Sequence, residues 1–154
     1  MQFKGAQKPV NKTLHWTGIP LRFIPTSELK RSRNRIMGSL VTAQCACGVE
    51  AEIPVGRGMM NFTTTCYFPC LCDRCNKVVQ VNLLATKPRC PECRAANPVP
   101  YDDPQLIGSP GDEIVTEWNM AERLGRNLLL TDGSYKCPGC RKNTLRFADS
   151  GLWD

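Results

Sequence analysis

Eight of the ten cysteines in this chain of 154 residues come in four close pairs: Cys45-Ala46-Cys47, Cys72-Asp73-Arg74-Cys75, Cys90-Pro91-Glu92-Cys93 and Cys137-Pro138-Gly139-Cys140. A turn with this spacing aims two sulfurs at one point while its backbone N–H groups face them. Small or turn-forming residues make such turns possible, and Gly48, Asn76, Pro91, Pro138 and Gly139 stand where they are needed. A single C-x-x-C is weak evidence, because the same spacing serves thioredoxin-like redox sites. Three of them beside a C-x-C-G point instead to metal, and a tetrahedral zinc takes four soft donors at about 2.3 Å. Four pairs then make two zinc sites.

The compartment decides between metal and disulfide. Residues 1–20 carry Lys4, Lys8 and Lys12 and no continuous apolar stretch of the signal-peptide kind. No run approaches the roughly 20 apolar residues of a membrane span. An intracellular, cytoplasmic and reducing environment is expected, where clustered cysteines are metal ligands. Composition agrees that something besides a core holds the chain: 42% of residues are hydrophobic, 7% are aromatic, and there are 12 Gly and 12 Pro.

The best defined set is Cys72, Cys75, Cys90 and Cys93, with fourteen residues between the inner two, enough for one hairpin. Residues 70–97 here resemble the zinc ribbon superfamily, including rubredoxin-like knuckles with Pro after the first cysteine. The resemblance implies metal binding and a small ribbon architecture. Zinc ribbons serve in transcription, translation, replication and many other assemblies, so it implies no single function.

The second set is open to three readings. The favoured one joins Cys45 and Cys47 to Cys137 and Cys140, closing the two ends of the body on one metal. Another joins Cys45 and Cys47 to Cys66 and Cys70. A third pairs Cys45/Cys47 with Cys72/Cys75 and Cys90/Cys93 with Cys137/Cys140. Preference for intact knuckles leaves Cys66 and Cys70 as ordinary buried thiols. Either way a four-thiolate site has no open position for water, so two structural Zn2+ ions are expected. Iron, which four thiolates also suit, is the redox alternative.

No catalytic constellation stands out. His15 is the only histidine, and no Walker A, GxGxxG or GxSxG motif is present. The acids Asp102-Asp103, Asp112-Glu113 and Glu117 read as a turn, a helix start and a solvated face rather than a magnesium site. Trp16, Phe23, Tyr67, Phe68 and Tyr101 are possible base-stacking platforms, but packing against the knuckles explains them equally well.

Charge is uneven along the chain. The formal net charge is +6, and two four-thiolate zinc sites change it by −8 + 4 = −4, to about +2. Residues 1–44 hold eight Lys/Arg against the single acid Glu28, whereas residues 45–154 hold twelve against thirteen acids. The cluster Lys30, Arg31, Arg33 and Arg35 is the candidate contact for nucleic acid or a partner.

The expected architecture is a small β-rich (α+β) zinc-ribbon protein. Residues 1–36 form a basic N-terminal arm and residues 37–154 a double-ribbon body. The body contains the central ribbon at 70–97, one helix over about 110–124 and a C-terminal knuckle at 135–148. The helix rests on Ser109-Pro110-Gly111-Asp112-Glu113, which supplies a cap, an early proline and acids at the positive end of the dipole. Trp153 is expected on the second zinc site or presented to a partner. The expected role is a non-enzymatic nucleic-acid-binding or adaptor subunit of a macromolecular assembly, with no membrane and no small-molecule substrate. The alternative is a purely structural, protein-interaction subunit held by its arm.

Overall fold

The computed structural model describes residues 37–58, 60–61 and 63–153. The arm 1–36, with His15, Trp16, Phe23 and the cluster Lys30, Arg31, Arg33 and Arg35, lies outside the described residues.

Alternation along Ser39 to Val55 produces a hairpin of two strands, β1 (Gly38–Gln44) and β2 (Glu50–Val55), joined by the turn that carries Cys45 and Cys47. Val41, Ala43, Ile53 and Val55 face inward and are buried, while Gln44, Glu50 and Glu52 face water. That is the period of two expected of a half-buried sheet. The run Tyr67–Cys72 forms β3 and pairs in antiparallel fashion with β4 (Lys77–Asn82) across the Cys72–Cys75 turn. Two-residue β5 (Val99–Pro100) pairs with Cys70 and Leu71 on the other side of β3. Pro69 has no N–H to give and sits just beyond that short ladder, where a strand proline is tolerated.

After a 3-10 turn at Pro104–Leu106 come β6 (Ile107–Ser109), β7 (Ile114–Trp118), a single helical turn α1 (Ala121–Leu124), β8 (Leu128–Thr131), β9 (Ser134–Lys136) and β10 (Asn143–Trp153). The strands make a five-stranded sheet ordered β2-β1-β10-β9-β6, a three-stranded sheet β4-β3-β5 and the hairpin β7-β8. β10 is the spine: its eleven residues pair with β1 along most of their length and with β9 at their start.

The helix expected over 110–124 is corrected. Only Ala121–Leu124 is helical, ended by Gly125 in the left-handed conformation at φ 71°, and residues 114–118 are a strand. Ile114, Val115 and Thr116 are β-branched and favour a pleated strand. Alternation buries Thr116 and Trp118 opposite Leu130 and Leu128 of β8. The polar start signals instead build the base of this hairpin. The Glu113 N–H donates to Asp132 Oδ1 at 3.0 Å and the Gly111 N–H to Thr131 Oγ1 at 3.1 Å.

The main core joins all three sheets, with Phe68, Leu71, Tyr101, Trp118, Leu130, Tyr135 and Phe147 among its large members. Tyr101, Tyr135 and Phe147 meet edge to face, at centroid distances of 5.1 to 6.0 Å. Phe68 and Tyr101 are therefore core residues and offer no stacking surface. The placement of Trp153 on the second zinc site is also corrected. It lies opposite Gly38, at the end of β1 remote from Cys45, with Nε1 donating to the Val55 carbonyl at 3.1 Å and its ring 5.9 Å from Tyr67. A Cβ at position 38 would collide with the indole, so only glycine admits this packing. No helix among the described residues is long and apolar enough to cross a membrane.

Candidate metal centres

The turns are built on one backbone plan. In three of them the N–H of the first cysteine donates to a carbonyl beyond the second: Cys45 to Val49 (2.9 Å), Cys90 to Ala95 (2.9 Å) and Cys137 to Lys142 (2.8 Å). The fourth turn closes through the ladder pair Cys72 and Lys77. The residue after every second cysteine has a positive φ: Gly48 at 94°, Asn76 at 53°, Arg94 at 61° and Arg141 at 63°. Gly48 and Asn76 suit that conformation, whereas an arginine adopts it rarely and only where the surroundings enforce it. That conformation reverses the chain behind the sulfurs and leaves N–H groups facing them.

Folding then brings the pairs together two by two. Cys72, Cys75, Cys90 and Cys93 form one group and Cys45, Cys47, Cys137 and Cys140 the other, with all four sulfurs of each group within 4.8 Å of one another. Of the three arrangements open to the sequence, this is the one in which the hairpin turn of β1-β2 meets the turn of β9-β10. The Sγ separations are 3.5 Å for Cys72 to Cys93, 3.7 Å for Cys75 to Cys90, 3.5 Å for Cys47 to Cys137 and 3.8 Å for Cys45 to Cys140. A tetrahedron with metal–sulfur bonds of about 2.3 Å has edges of about 3.8 Å. A disulfide would need about 2.05 Å, and all ten cysteines are free. Both groups could hold a metal ion.

The electrostatics fit the same conclusion. The Cys47 N–H and then the Thr144 hydroxyl hold the Cys45 thiol below its ordinary value. The Thr144 hydroxyl and then the Lys142 N–H do the same for Cys140. Burial pushes Cys137 and Cys75 the other way, upward. Four sulfurs this close cannot all ionise beside one another in the absence of a cation, and a divalent ion removes the conflict.

Two features had no sequence signal. Thr144, four residues past Cys140, places its hydroxyl 3.1 Å from Cys45 Sγ and 3.3 Å from Cys140 Sγ, bridging the two chain ends that make the second group. Arg141 reaches from the second group to the first, donating to Asp73 Oδ1 at 2.9 Å and to Asn76 Oδ1. The two groups also differ in exposure. Cys72 and Cys90 of the first are buried, while Cys47 of the second is exposed.

Cys66 and Cys70 join neither group. Both are fully buried, burial pushes Cys66 up to about 11, and the Cys70 thiol, also raised by burial, donates to the Phe68 carbonyl at 3.6 Å. The three-stranded sheet carries a small core of its own, made of Cys70, Val79 and Val81 with the cluster members Cys72 and Cys90. Asp102 is the other buried polar group of note. Its Oδ2 pairs with Arg126, its Oδ1 has no partner among the described residues, and burial raises its carboxyl.

No family model, curated protein or solved structure matches the chain.

Proposed function

We propose that this protein is a structural zinc module without chemistry of its own, serving as a nucleic-acid-binding subunit or adaptor within a macromolecular assembly. The closed four-sulfur geometry of both groups carries the first half of this reading. Four thiolates fill a tetrahedral zinc and leave no position for water or substrate, which is the mark of a structural rather than a catalytic ion. Here Cys72, Cys75, Cys90 and Cys93 hold one Zn2+ and Cys45, Cys47, Cys137 and Cys140 the other, and each ion fixes turns that a small core alone would leave loose. Zinc suits the thiolate tetrahedra best, with iron as the redox alternative.

The second half rests on charge. Eight Lys/Arg against one acid in residues 1–44 is an electrostatic footprint suited to phosphate. Replacing Lys30, Arg31, Arg33 and Arg35 with Ala is expected to flatten the salt dependence of nucleic-acid binding, by about 0.7 in log–log slope for each lost single-strand phosphate contact. Fluorescence anisotropy across a salt series measures it. An unchanged slope contradicts the arm's role. A variant that leaves its complex although neither form binds nucleic acid marks a protein-held structural subunit instead.

A further inference from the structure

The near balance of charge in the body hides a separation along the chain. Residues 72–98, which contain the first cysteine group, hold Arg74, Lys77, Lys87, Arg89 and Arg94 against Asp73 and Glu92. Residues 133–148, the second half of the other group, hold Lys136, Arg141, Lys142 and Arg146 against no acid. Residues 99–132 show the reverse, with seven acids against two arginines. The two basic segments together carry 9 − 2 = +7, and with their six thiolates and the two zinc ions, −6 + 4 = −2, they keep +5, against 2 − 7 = −5 for the intervening segment.

The fold sets the basic segments side by side. Arg141 of one turn grips Asp73 and Asn76 of the other, so that Lys142 flanks the same contact from one side and Arg74 and Lys77 from the other. Both acids of the first segment are already committed, Asp73 to Arg141 and Glu92 to Lys77 at 2.9 Å each. Arg74, Lys87 and Lys142 are exposed and have no acid partner among the described residues.

We propose that the ridge where the two metal-site turns meet is a nucleic-acid contact surface, gripping the phosphate backbone through Arg74 and Lys142, which neighbour that contact in the chain, and through Lys87, three residues ahead of Cys90 in the first cysteine group. It rests on the nucleic-acid reading above but moves part of the binding from the arm to the rigid body. Unpaired cations on a rigid ridge suit phosphate contact, because fixing them costs little further chain order and each contact releases a condensed counterion. The acidic segment 99–132 repels the same backbone, which leaves the basic segments as its attachment.

The test uses the full, metal-loaded chain and a fluorescein-labelled single-stranded oligonucleotide, as DNA and as RNA, titrated from about 50 to 200 mM salt. The variant Arg74→Gln/Lys87→Gln/Lys142→Gln keeps polar side chains at exposed positions and avoids Arg94 and Arg141, whose positive φ matters to the turns. Its slope is expected to be shallower by about 2, so that the salt-induced loss of affinity over that range shrinks about 16-fold. Zinc content and thermal transition should match the wild type, and Lys87→Arg/Lys142→Arg should keep the wild-type slope. A triple variant with the wild-type slope, while the arm variant loses binding, overturns the ridge and leaves the arm reading intact. A wild type that binds neither oligonucleotide overturns both, as does a wild type that binds polyglutamate in their place.

Discussion

Stripping the metal with excess chelator at neutral pH, in reducing buffer, should abolish the cooperative thermal transition of the body, and adding back zinc should restore it. The structural reason is specific. Three buried cysteines are metal-group members, Cys72, Cys90 and Cys137, and the small second core of the three-stranded sheet keeps only Cys70, Val79 and Val81 as buried members once its cysteine cluster is open. Structural zinc contributes on the order of 10 kcal/mol per site, comparable to the whole stability of a small domain. Acid should act in the same direction. Metal-bound sulfurs are thiolates, while burial holds the free Cys75 and Cys137 thiols above their ordinary value, so the metal-free state binds more protons. Lowering the pH therefore favours release, and the apparent zinc affinity should fall steeply as pH drops below neutral. Circular dichroism with and without chelator, repeated across pH, checks both. A metal-free chain that melts like the loaded one contradicts the expectation.

Phe147→Ala should be the most damaging substitution away from the cysteines, costing about 3–5 kcal/mol. Phe147 is 3% exposed and lies 5.1 Å from both Tyr101 and Tyr135, so truncation opens a cavity at the place where β10, β9 and the segment after β5 converge. Tyr101 cannot swing in to fill it, because its hydroxyl donates to the Lys136 carbonyl at 3.1 Å. Phe147→Leu should cost less than half as much, since most of the volume is kept. Urea midpoints of the three zinc-loaded proteins provide the comparison. Equal midpoints for Phe147→Ala and the wild type would mean that the metal centres alone hold the body.

What the sequence made legible was local. Close cysteine pairs, three C-x-x-C and one C-x-C-G, mark every knuckle, and period-two alternation marks β1, β2 and most of β4. What it hid depended on partners distant in the chain. Ser109 to Glu113 carries a full set of helix-start signals, yet Glu113 and Gly111 spend their N–H groups on Asp132 and Thr131, which no local pattern announces. Trp118, Ala121 and Leu128 fall at spacings compatible with a helical stripe, but Trp118 pairs with Leu128 across a hairpin. β3 carries no local strand signal, for a related reason. Tyr67-Phe68-Pro69-Cys70-Leu71-Cys72 is covered by β4 on one side and β5 on the other and is almost wholly buried, so it shows no alternation, and Pro69 argues locally against a strand. Thr144 and Arg141 became visible only after the pairs were joined, since each acts on a cysteine group formed partly from the other end of the chain.

The central claim, two structural zinc ions held by eight named cysteines, is tested most directly by the native mass of the purified protein, kept free of chelator throughout. The account predicts the chain mass plus two zinc ions, with no hydrogens lost to disulfides. A metal-free mass, lowered by the hydrogens of disulfide bonds, would contradict it.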